Sequence, residues 1–136
     1  MNGCHFPKSE CLCSKKLIEA LFEGGHKSMS AYPIRAVFMP VPEGLAPEGK
    51  SIPPVQVLMS VSKRRFKHAV DRNRVKRQLR EAYRLQKDIV LRTLQPGQHL
   101  TIAFIWLSDE HFPTAVIHSK MQKLLLRISE EKPLND

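Results

Sequence analysis

Residues 55–87 read VQVLMSVSKRRFKHAVDRNRVKRQLREAYRLQK, and within them the apolar spacing changes from every second residue to every third or fourth. Val55, Val57, Met59 and Val61 alternate with Gln56, Leu58 and Ser60, the pattern of a strand with one strongly apolar face. From Phe66 to Lys87 the spacing predicts a helix. Val75, Leu79, Ala82 and Tyr83 fall within about 100° of one another on a helical wheel, a narrow stripe suited to packing on a sheet. Arg72, Lys76, Arg77, Arg80, Arg84 and Lys87 crowd the adjoining flank of roughly 140°, with Arg74 farther round.

That crowding needs a cause. Like charges one helical turn apart repel by some tenths of a kcal/mol per pair, and local helix formation gives nothing in return. From Lys63 to Arg92 there are twelve Lys or Arg against three acids, whereas the rest of the chain carries ten of each sign. The whole net charge of +9 is therefore concentrated in 30 residues. A merely solvated face normally intersperses its signs. A focused positive field steers and holds a phosphate backbone, which points to a polyanionic partner. Arginine forks hold phosphates bidentately, lysine acts as a mobile point charge, and Asn73 can donate and accept toward a base edge or a ribose hydroxyl.

Outward from this segment, Leu100 to Leu107 is a nearly unbroken apolar run, the mark of a strand covered on both faces. Pro113 opens a helix in which Ile117, Met121, Leu124, Leu125 and Ile128 share one face. Upstream, Ser28 to Met39 is extended, broken at Tyr32-Pro33, with Ile34, Ala36 and Phe38 on one side of the second strand. Residues 40–54 hold five prolines and two Pro-Glu-Gly repeats, so they read as an exposed irregular loop. A first helix is expected after Ser14, with Leu17, Ile18, Leu21 and Phe22 on its apolar face and Gly24-Gly25 ending it. The expectation is one α/β domain over 14–129, an α+β two-layer sandwich with a four-stranded sheet in the order α-β-β-β-α-β-α. Residues 1–13 read as a flexible leader and 130–136 as a tail.

Three cysteines near the N-terminus, Cys4, Cys11 and Cys13, cannot all pair within one chain, which suits a reduced, cytoplasmic setting. No apolar stretch approaches the roughly 20 residues of a membrane span. Cys4, His5, Cys11 and Cys13 match no paired zinc spacing, so no metal site is expected. Protein-based phosphodiester hydrolysis would need convergent carboxylates or a histidine pair. The acids are scattered. Asp109 and Glu110 adjoin His111, but the trio also makes an ordinary solvated turn into the last helix, and no catalytic residue is expected.

The run from Ser60 to Arg84, with its Arg-Asn-Arg core at 72–74, its hydrophobic-Lys-Arg at 75–77 and its Leu-Arg-Glu-Ala-Tyr at 79–83, resembles the signature segment of bacterial ribonuclease P proteins. The resemblance implies a ribosomal-protein-S5-domain-2-like fold and a place as the protein subunit of an RNA-based endonuclease that matures the 5′ end of tRNA. It implies that Arg72, Asn73, Arg74, Lys76, Arg77, Arg80 and Arg84, with Ser62, Lys63, Arg64, Lys67 and His68 leading in, contact ribonuclease P RNA and precursor tRNA. It also implies that the single-stranded 5′ leader lies in a cleft served by Phe22 and Phe38. Mg²⁺ would be held mainly by the RNA, with no organic cofactor, no membrane and no DNA partner. Where many members carry an aromatic one turn before Phe22 this chain has Ile18, and it has Leu58 and Phe66 where many have glycine. A ribosomal or other structural RNA-binding protein is the alternative. A helix-turn-helix DNA reader is disfavoured, because the basic helix follows a strand.

Overall fold

A computed structural model describes residues 18–19, 27–40, 55–94 and 99–131. Strands β1 (Lys27–Ala31), β2 (Ile34–Pro40), β3 (Val55–Ser60) and β4 (Leu100–Trp106) form one sheet. Its helices are α1 (Ala69–Gln86), the short α2 (Asp88–Leu91) and α3 (Thr114–Glu131). Ile18 and Glu19 are helical, where the first helix is expected, while the rest of that helix, the leader and residues 41–54 lie outside the described residues.

Sheet order is β1-β2-β4-β3. Strands β1 and β2 form an antiparallel hairpin in which Ala31 pairs with Ile34 across Tyr32-Pro33, a cis peptide. The continuously apolar β4 lies between β2, antiparallel, and β3, parallel, as a strand buried on both faces must. The alternating β3 takes the edge.

Both long helices pack on one face. There Ile34, Ala36 and Phe38 of β2, Val55, Val57 and Met59 of β3 and Leu100, Ile102, Phe104 and Trp106 of β4 meet the helices. Helix α1 contributes Val75, Leu79, Ala82 and Tyr83, and α3 contributes Ile117, Met121, Leu124, Leu125 and Ile128. On the opposite face Val37, Met39 and Ala103 form a smaller cluster, with Ile18, Leu58 and Ile105 packed against it. Thr101, fully buried, settles its hydroxyl on the Met39 carbonyl at 3.1 Å.

Three boundaries differ from expectation. Helix α1 begins at Ala69 rather than Phe66, because Phe66 drops into the core while Arg65 N and Phe66 N both donate to Ser62 O, closing a turn. The helical path breaks at Lys87, and the separate α2 puts Val90 in the core. Helix α3 runs two residues beyond 129. Val70, in the first turn of α1, is 78% exposed.

Leu79 is fully buried between α1 and the sheet, so Leu79→Ala should cost about 2–5 kcal/mol in denaturant unfolding. Val70→Ala, one helical face away, should stay within about 0.5 kcal/mol of wild type. Equal losses would contradict the assigned packing face.

Candidate nucleic-acid interface

The basic residues divide into those that hold structure and those that are free to bind. The turn leaving β3 presents Ser62, Lys63, Arg64 and Lys67 to solvent, and His68, the residue capping α1, is exposed without a side-chain capping bond. On α1, Asn73, Arg74, Arg77 and Arg80 are exposed and Lys76 is half-buried. Among the described residues no carboxylate pairs with Lys63, Arg64, Lys67, Arg74, Lys76, Arg77 or Arg80, so none there offsets their mutual repulsion.

Arg72, Arg84 and Lys87 stand apart. Half-buried Arg72 turns back and donates to Phe66 O at 2.9 Å and Lys67 O at 3.1 Å, bracing the turn that precedes its own helix. Arg84 forks onto Glu81, with Nε on Oε2 at 3.1 Å and a second bond from Nη2 to Oε1. That hydrogen bond holds the Glu81 carboxyl below its ordinary range, against slight desolvation, with the charges of Arg84 and His118 helping. Lys87 is only 6% exposed, so the helical wheel misplaced it on the open basic flank.

The cleft aromatics fare differently. Phe38 is fully buried in the main core between sheet and helices, so no base can stack on it; its strand presents Val37 and Met39 to the opposite face instead. Phe22 lies outside the described residues, as do Cys4, His5, Cys11 and Cys13. Tyr83 is buried against Phe104, with ring centroids 6.0 Å apart. An open pocket of about 410 Å³ lies at the ends of β3 and β4, lined by Ser60, Ser62, Arg64, Arg65, Ile105, Trp106 and Leu107. A lining that mixes hydroxyls, a guanidinium group and apolar side chains suits a nucleotide, whose phosphate and base call for both kinds of contact.

Sequence spacing gave no sign of a group of contacts around this turn. The Phe66 ring stacks on His111 at 4.7 Å and 22°, and His111 Nε2 lies 3.0 Å from Asp71 Oδ1. Arg65 bridges to Asp109 at 3.3 Å. These partners stand about forty residues apart, so only the fold brings them together. Among the described residues no three His, Cys, Asp or Glu gather as a metal site.

A family model described as Ribonuclease P matches residues 6–129. A ribonuclease P protein component of Porphyromonas gingivalis is 41% identical over 127 residues, covering 93% of this chain and 88% of the relative. One from Chlorobium phaeobacteroides is 32% identical over 143 residues, covering 96% and 95%. The solved ribonuclease P protein of Thermotoga maritima superposes with a TM-score of 0.64 at 20% identity, over 87% of this chain and 96% of that one.

The lowered Glu81 carboxyl has a measurable consequence. Whatever the Glu81–Arg84 pair contributes is fully present above the ordinary glutamate range and is lost as pH falls through the lowered folded value. In Arg84→Gln, Glu81 should titrate at higher pH in a carboxyl NMR titration, and the stability difference from wild type, below about 1 kcal/mol for so exposed a pair, should shrink toward acid pH. A Glu81 titration that does not move would contradict the pairing.

Proposed function

The chain belongs to the ribonuclease P protein family, and as the protein subunit of that ribonucleoprotein endonuclease we propose that it docks on the ribonuclease P RNA through the Ser62–Lys67 turn and the open flank of α1. The observation that carries this reading is the set of exposed cations Lys63, Arg64, Lys67, Arg74, Arg77 and Arg80, unpaired among the described residues, on one anchored turn and helix. A surface of that kind neutralises phosphates that would otherwise repel one another, and so allows two large polyanions to approach.

The substrate is precursor tRNA, whose single-stranded 5′ leader would pass the pocket at the ends of β3 and β4. There Arg64 can hold its phosphates, and Ile105 and Leu107 offer apolar surface to a base. With Phe38 in the core, this pocket is the better-supported place for the leader among the described residues. The chemistry is done by the RNA. Hydrated Mg²⁺ would be positioned there to activate water and stabilise the leaving oxygen. No helix among the described residues is long and apolar enough to cross a membrane. The cytoplasm, where precursor tRNA is matured, is the expected compartment.

Reconstitution at low Mg²⁺ tests this directly. The protein added to a ribonuclease P RNA should restore 5′ leader removal, and Arg74, Arg77 and Arg80 changed together to Ala should raise the Mg²⁺ needed for half-maximal cleavage. A triple variant as effective as wild type, or cleavage by the protein without RNA, would refute the proposal.

A further inference from the structure

The connection from β4 to α3 contains Asp109, Glu110 and His111, and two of the three are spent on the basic segment. Asp109 bridges Arg65 at 3.3 Å, while His111 meets Asp71 through Nε2 at 3.0 Å and lays its ring on Phe66. The connection is itself fixed. Leu107 N donates to Pro33 O at 2.8 Å, Glu110 N donates to the buried Ser108 Oγ at 2.9 Å, and Phe112 stands edge-on to Trp106 at 5.6 Å. Gln78 of α1 closes the frame by donating to Phe112 O at 3.3 Å and Thr114 Oγ1 at 3.2 Å.

We propose that residues 108–113 form a latch that pre-orders the Ser62–Lys67 turn for RNA, with His111 as its positioning residue, acting through Phe66 and Asp71. The proposal rests on the family reading above. A short turn that presents Lys63, Arg64 and Lys67 to solvent is pushed open by their repulsion and by backbone entropy, and ordering it only at binding would subtract from affinity. Within the turn itself, Ser62 O accepts from Arg65 N at 3.0 Å and Phe66 N at 3.3 Å, and Arg72 braces Phe66 O and Lys67 O. The remaining restraints come from the latch: the His111 ring under Phe66, and Asp109 on Arg65. The same contacts turn two nearby carboxylates, Asp71 and Asp109, to the service of the cationic surface, where unpaired they would repel phosphate.

The test combines amide exchange on the free full-length protein with titration of ribonuclease P RNA at several salt concentrations, for wild type, His111→Ala, His111→Phe and Arg64→Ala. In His111→Ala the Arg65 and Phe66 amides should exchange at least about tenfold faster while Val75 and Leu79 keep their protection. RNA affinity should fall about tenfold, the cost of re-ordering roughly one residue, with the salt dependence unchanged because every cation remains. His111→Phe keeps a ring on Phe66 but loses the bond to Asp71, and should fall between; it decides the matter if His111→Ala unfolds. Arg64→Ala should instead flatten the salt dependence by about one counterion with normal exchange. Wild-type exchange at Arg65 and Phe66 in the folded His111 variants, or an affinity loss that flattens the salt dependence as Arg64→Ala does, overturns the latch. Wild-type protein that ignores the RNA overturns the family reading and the latch's purpose with it, and the exchange pattern of the free protein tells that failure from a failure of the latch.

Discussion

Like charges held close together must be fixed to something that does not yield, and here that is the apolar stripe of α1. Val75, Leu79, Ala82 and Tyr83 are buried against β4 and its neighbours, and Val75 and Leu79 alone each contribute on the order of 1.5–3 kcal/mol. That burial outweighs the repulsion of the cations beside it, which amounts to tenths of a kcal/mol per pair. Because stripe and cationic flank belong to one rigid helix, the core sets the spacing of the charges. Strand β4 completes the arrangement by being buried on both faces, so that β3 and α1 have a fixed surface to lie on.

Where apolar periodicity is strong, the sequence already contained the answer. The alternation of 55–61 became the edge strand β3, the unbroken run of 100–107 became the central strand β4, and the α3 stripe is buried residue for residue as its spacing requires. The basic segment was legible as a concentrated cationic surface from its charge, and the family was legible from its resemblance. Less legible was which cations are free. A helical wheel knows angles but not ends, so it treated Arg72, Arg84 and Lys87 as equals of Arg80. The backbone of the turn claims Arg72, Glu81 claims Arg84, and the break before α2 buries Lys87.

Phe38 shows the other limit. Its parity along β2 is plain from the sequence, but which face the helices cover is a long-range outcome, and they cover Phe38. Asp71 and His111 were equally invisible, because no local rule joins an acid in the first turn of one helix to a histidine before another. What the fold adds to the sequence is a division of labour. Some charged groups set the shape of the turn, and others have no carboxylate partner among the described residues.

The central claim is that the unpaired cations of the turn and α1 are neutralised by folded RNA. Its most direct measure is the dependence of binding on salt for the wild-type protein and a ribonuclease P RNA. Six exposed cations, Lys63, Arg64, Lys67, Arg74, Arg77 and Arg80, predict that log K falls with log salt concentration at a slope of about −4 to −5. A slope between zero and about −1 would mean that these charges do not meet phosphate.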